Sequence, residues 1–240
     1  MNDKLARNRW IPKYLLSTAM LFLLIASMGR SATAGETESI PELLSRLDQA
    51  AHSFTGATAQ IKVVTHTAVI DQDDTQTGTV VVKRSSSAHM AFLINFTGPD
   101  AQEVALRDNQ LQIYYPKLNS VREYDLGRYK DIVQKLILLG FGMGGRELRA
   151  SYDVGKLGDE RIESQDTMHI LLTPKNPEIL KQLSRVDLWI SLKNNCPVQQ
   201  KFYMPGGDYR LVMYSNVAVN PHLSPSALDL PKGAKRERMN

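Results

Sequence analysis

Residues Val186 to Asn220, VDLWISLKNNCPVQQKFYMPGGDYRLVMYSNVAVN, constrain this chain more than any other stretch. Apolar residues alternate with polar ones at period two through Val186, Leu188, Ile190 and Leu192, then Val198, Phe202 and Met204, then Tyr209, Leu211 and Met213. Successive side chains of a strand point to opposite faces, so this spacing predicts three consecutive antiparallel strands. Lys193-Asn194-Asn195 fills the first gap and Gly206-Gly207 the second, residue types that accept the positive φ of a tight hairpin. A meander of this kind has one apolar face and one wetted face. The functional question is what covers the apolar one.

The N-terminus supplies an address. Lys4, Arg7, Arg9 and Lys13 precede an apolar run from Tyr14 to Met28, and Ala32-Thr33-Ala34 follows it. A basic start, a short apolar core and an A-x-A site read as a secretory signal peptide over residues 1–34. The run is short for a membrane anchor, which needs about 20 apolar residues. Cleavage after Ala34 leaves residues 35–240, read as one domain. The leader also accounts for the apparent basicity. The whole chain holds 29 Lys+Arg and 25 Asp+Glu, and the leader takes five of the former and one of the latter, so 24 of each remain. No nucleic-acid surface is expected from a neutral mature chain. The basic tail Lys232, Lys235, Arg236 and Arg238 reads as a frayed, solvated end. Cys196 is the lone cysteine, so no intrachain disulfide can form and the core must carry stability. No cysteine follows the leader's apolar run, where a lipoprotein would be acylated. A soluble periplasmic monomer is expected.

Ser39-Ile40-Pro41-Glu42 is a capping box that opens a helix with Leu43, Leu47, Ala50, Ala51 and Phe54 at helical spacing. Strands are predicted over Ala59–Ala68, Thr77–Arg84, His89–Phe96, Glu103–Arg107, Gln110–Tyr115 and Val121–Tyr124, with Asp71–Asp74 as a loop between the first two. Asp131 to Gly145, DIVQKLILLGFGMGG, breaks the strand pattern. Its apolar run predicts a helix stopping at Gly140, and the glycines behind it suit a lid on a hinge. Tyr152–Leu157, a Gly158-Asp159 turn, His169–Thr173 and a Pro174–Leu183 connection lead to the final meander. Strands without alternating long helices predict a mainly β fold.

Catalytic signatures are missing. The five histidines fall in five separate elements, and the sequence contains no H-E-x-x-H, G-x-S-x-G or P-loop. The Asp71, Asp73, Asp74 cluster lacks the glycine of a calcium loop. No enzyme, metal or cofactor is expected. An exported, one-sided sheet with few helices describes a binding protein for something apolar, since each exposed methylene costs about 0.8 kcal/mol in water.

Several segments occur in the order found in a known family: Ser45-Arg46-Leu47-Asp48, Gly78–Arg84 (GTVVVKR), Leu111–Pro116 (LQIYYP), Leu171–Lys175 (LLTPK), the final meander, and Leu230-Pro231-Lys232-Gly233. Together they resemble the outer-membrane lipoprotein carrier proteins of Gram-negative bacteria, the LolA-like periplasmic chaperones. The resemblance implies an unclosed antiparallel β-barrel of about eleven strands with a helical lid over a hydrophobic cavity. It also implies a role in transport, in which acylated lipoproteins are accepted from an inner-membrane ABC transporter and delivered to an outer-membrane acceptor. Arg84 matches the arginine associated with closing the lid by hydrogen bonds, although Ser85 stands where the family has proline. Lid and hinge candidates are Ile132, Leu136, Ile137, Leu139, Gly140, Phe141, Gly142 and Met143. Cavity-lining candidates are Leu93, Ile113, Leu188, Ile190, Phe202 and Met213. The rival reading keeps this fold and makes the cargo a free lipid or glycolipid.

Overall fold

A computed structural model of the chain describes residues 38–84, 90–107, 110–127, 133, 136 and 139–239. The proposed signal peptide, His89, Ile132 and Ile137 lie outside the described residues.

Helix α1 (Ile40–Ser53) starts at the capping box. The Ser39 hydroxyl accepts from the Glu42 backbone N–H, and the Glu42 carboxylate accepts from the Ser39 N–H at 2.7 Å. These are two of the donors that a helix start otherwise leaves unmet. One meander follows: β1 (Gly56–Thr67), β2 (Gln72–Arg84), β3 (Met90–Thr97), β4 (Gln102–Arg107), β5 (Gln110–Tyr115) and β6 (Ser120–Asp125). The short helix α2 (Gly145–Ser151) leads into a second meander of β7 (Tyr152–Ile162), β8 (Gln165–Pro174), the single turn α3 (Pro177–Leu180), β9 (Arg185–Ser191), β10 (Pro197–Tyr203) and β11 (Tyr209–Val219). β12 (Lys235–Met239) closes the chain.

The two meanders join side by side. β1 pairs antiparallel with β11, with Val63 opposite Val212 and Ile61 opposite Tyr214. The result is one curved, unclosed twelve-stranded sheet in the order β12-β6-β5-β4-β3-β2-β1-β11-β10-β9-β8-β7. Since β6 and β7 lie toward opposite ends of that order, the connection between them has to travel along the sheet. Leu139, Phe141, Met143 and Leu148 in its described part are all buried.

Registers sort the side chains onto two faces. Residues directly opposite each other share a face, which puts Ile61, Val80, Phe92, Leu106, Ile170, Leu188, Ile190 and Tyr214 on the side carrying α1. Leu43, Leu44 and Leu47 of α1 pack there with Met168, Ile170, Leu172, Val186, Leu188 and Ile190. A second cluster on the same face gathers Phe54, Phe141 and Tyr214 with Ile61, Val82, Phe92 and Leu106. A small third cluster of Ala105, Val121, Leu230 and Ala234 lies on the opposite face, under the C-terminal segment.

Three sequence expectations change. The basic tail is a strand: β12 pairs in parallel with β6, and Arg236 donates to Glu123 at 2.7 Å. Ordered charges on an outermost strand discourage pairing with other chains. The Gly158-Asp159 turn is a bulge inside a continuous β7, with the register shifting between Lys156 and Gly158, and the chain turns at Glu163 instead. β2 begins within the acidic stretch, where Asp73 pairs with His66 and Asp74 with Thr65. α2 carries no expectation from sequence.

Candidate functional site

Arg84 ends β2 beside the C-terminus of α1. Its backbone N–H donates to Thr55 O at 2.9 Å, which fixes where the side chain starts. From there Nε donates to Phe54 O at 2.9 Å, while Nη2 donates to Gly142 O at 2.9 Å and to Ala51 O at 3.5 Å. The guanidinium carbon also lies 5.8 Å from the Phe54 ring centroid. One rigid cation thus ties the strand end, the last turn of α1 and the loop before α2. The acceptors suit it, because a helix C-terminus presents unmet carbonyls and a partial negative charge. A lysine could not fork in this way.

A second polar contact holds the same loop from below. Gln200 of β10 is 1% exposed and donates from Nε2 to Leu139 O, while its Oε1 accepts from the Tyr214 hydroxyl at 2.8 Å. Tyr214 is itself buried, and burial pushes its phenol well above the usual range, so the hydroxyl keeps its proton and remains a donor. Phe141 packs edge-on against Tyr214, with ring centroids 5.1 Å apart. The segment Leu139–Met143 is therefore pinned at Leu139 by Gln200 and at Gly142 by Arg84.

The glycines of this loop serve close packing as well as turning. Gly142 has φ +65, and a Cβ there would lie 2.3 Å from a Phe54 ring carbon. At Gly145 a Cβ would meet Leu44 O of α1 at 2.1 Å, so only glycine lets the loop press onto the helix backbone.

The structure distributes the candidates as follows. Leu139, Phe141 and Met143 of this loop are buried, so the loop forms part of the sheet's cover, Gly140 has φ +84, and Leu136 is half-buried against the first cluster. Leu188 and Ile190 lie fully buried beneath α1, and Phe202 packs beside them, so side chains of the chain itself fill this half of the face. Ile113 lies on the same face near the other end, where Ile94, Phe96, Val104 and Leu111 are also only half-buried. Leu93 and Met213 point the other way. Leu93 packs in the third cluster with Leu230 and Ala234. Met213 lines a cleft of about 430 Å³ on the opposite face, together with Gln60, Lys62, Thr77, Thr79, Ser215 and Glu163. Both strands are apolar in both phases, as Phe92-Leu93-Ile94 and Leu211-Val212-Met213-Tyr214 show, so alternation alone offers candidates for either face. Sequence reasoning missed Gln200 and Tyr214. A signal existed for the first: Gln200 breaks the apolar phase of β10 between Val198 and Phe202, and a polar residue in a core phase is informative.

Among the described residues, no group of three or more His, Cys, Asp or Glu side chains could hold a metal ion. No helix of the described residues is long and apolar enough to cross a membrane.

No protein-family model matches the sequence, and no curated protein matches it either. Solved structures do. An uncharacterized conserved protein from Thermus thermophilus superposes with a TM-score of 0.54 at 13% identity, covering 84% of this chain and 100% of that one. MucB superposes with a TM-score of 0.52 at 13% identity over 82% of this chain, which spans 64% of MucB. A LolA superfamily protein from Nitrosomonas europaea matches more loosely, at a TM-score of 0.39 and 14% identity over 80% of this chain and 98% of that one. At such identities a likeness concerns the fold alone, and function has to be argued from the site. What this chain shares with the first two is a fold, which here is an unclosed, curved twelve-stranded β-sheet.

Proposed function

We propose that this protein is an exported, non-enzymatic carrier that shelters the acyl chains of lipoproteins against the helix-covered face of its sheet and shuttles them between the inner and outer membranes. One observation carries the reading: the cover of an otherwise apolar sheet face is fastened by polar contacts to backbone carbonyls. Buried loop carbonyls need donors in any core, but here one of the donors is a half-buried cation that water can replace. The half-buried Arg84 contacts can be broken and remade in water at small net cost, which suits a cover that opens for cargo. The half-buried row Ile94, Val104 and Ile113 offers apolar wall that acyl chains could cover first. Arg84 is the proposed latch, and its Gly142 contact is the one that opening must break.

The signal peptide over 1–34 and the periplasmic address belong to the same proposal, as do an inner-membrane transporter as donor and an outer-membrane acceptor. Native mass spectrometry of the protein isolated from a Gram-negative host tests it. Retained mass matching an acylated protein supports the lipoprotein reading, and a mass matching free lipid or glycolipid replaces the cargo while keeping the carrier. Recovery of ligand-free protein that takes up no lipid in vitro refutes both.

A further inference from the structure

Gln200 is the unusual member of the helix-covered face. It belongs to the apolar phase of β10, opposite Leu188 on one side and Val212 on the other, yet it places a primary amide between the two large apolar clusters. Its orientation follows from chemistry. The Leu139 carbonyl can only accept, so the amide nitrogen must face it, and the Tyr214 hydroxyl then donates to the amide oxygen at 2.8 Å. Tyr214 thereby aims a fixed N–H donor at the underside of the cover.

This inference rests on the carrier reading, in which the segment Leu139–Met143 lifts from the sheet. Lifting withdraws the Leu139 carbonyl and leaves the Gln200 N–H in an apolar wall with no acceptor, an arrangement that buried donors avoid. A ligand restores the balance only if it brings an acceptor to the same place. We propose that the Leu139 carbonyl holds the position of an acyl ester or amide carbonyl, and that Gln200, oriented by Tyr214, is a ligand-binding residue that selects acyl chains ending in a carbonyl over plain alkyl chains. Acyl esters and amides are the carbonyls through which fatty chains are linked to glycerol, sugars or protein, so one donor serves any of these while rejecting hydrocarbon and ether lipids.

Two ligands isolate the carbonyl: 1-monolauroylglycerol and 1-O-dodecylglycerol, which have the same chain length and headgroup and differ in ester against ether. Displacement of a polarity-sensitive dye from the full mature chain gives both affinities. The wild type is expected to bind the ester roughly tenfold more tightly, the worth of one well-placed neutral hydrogen bond. Gln200→Met should bind both ligands alike, at the ether's affinity. If that variant fails to fold, Tyr214→Phe removes the donor that fixes the amide, which is then free to turn its oxygen toward the cover, and the preference should shrink. Equal binding of both ligands by the wild type, or a preference that survives in the variants, overturns the selectivity of Gln200 and leaves the carrier reading standing. Binding of neither ligand overturns the carrier reading first, and this inference with it.

Discussion

Replacing Arg84 with leucine removes, among its contacts, the hydrogen bonds to Phe54 O and Gly142 O at 2.9 Å and a marginal one to Ala51 O at 3.5 Å. Hydrogen bonds from a charged donor contribute about 1.5–3 kcal/mol each where water is excluded. Arg84 is only half-buried, so water recovers part of this, and the closed state should lose about 2 kcal/mol in total. In a domain of this size each kcal/mol moves the melting temperature by about 2–4 °C, so a fall of about 4–8 °C is expected by calorimetry. Amide exchange should accelerate most between residues 139 and 145, whose anchor is lost. The functional consequence runs in the opposite direction to stability. Closing competes with cargo, so a closed state weakened by about 2 kcal/mol raises apparent cargo affinity by up to about thirtyfold. In a transfer assay with purified donor and acceptor membranes, Arg84→Leu should hold acylated cargo and deliver it slowly. Arg84→Lys keeps the charge by the helix C-terminus but not the fork, and should fall between the two. An unchanged melting temperature, unchanged exchange at 139–145 and wild-type release would together make Arg84 an ordinary strand-end charge and refute the latch.

Gly142→Ala should cost about 2–4 kcal/mol in urea unfolding, since it adds left-handed strain to a clash with the Phe54 ring, whereas Gly127→Ala, at φ +46 with open space around it, should cost only about 1 kcal/mol. Cys196 is buried, and burial pushes its thiol up to about 12, so a disulfide reagent at pH 8 should leave it untouched until denaturant is added. Fast labelling of the native protein would show that β10 opens locally at its start. The exported protein should begin at Gly35, which the intact mass will show; a chain retaining Met1 or carrying a lipid would refute the leader assignment.

Local chemistry was legible wherever a few neighbouring residues settle the outcome. The capping box of Ser39 and Glu42 formed as its spacing requires, and the turns carry positive φ at Asn195, Gly206 and Gly207. The period-two runs became β9, β10 and β11, because alternation is a property of the backbone pleat and needs no distant partner. Arg84 stood out through a resemblance, and the residues it bonds could not be read from its neighbours in sequence, since Gly142 is 58 positions away.

What the tertiary structure decided is everything that depends on pairing across distance. The β1–β11 pairing merges two meanders into one sheet, and with it chooses which phase of Leu211-Val212-Met213-Tyr214 faces the helices. Leu93 faces away from α1 and meets the C-terminal segment, whose Leu230 and Ala234 give that face a small core of its own. The basic tail became β12 because β6 offered it an unpaired edge and Glu123 a counter-charge. Gln200 is the clearest case: period two placed its side chain on the covered face, but only the fold brought Tyr214 and Leu139 to its two ends. Sequence spacing determines which way a side chain points, whereas long-range packing determines what it meets there.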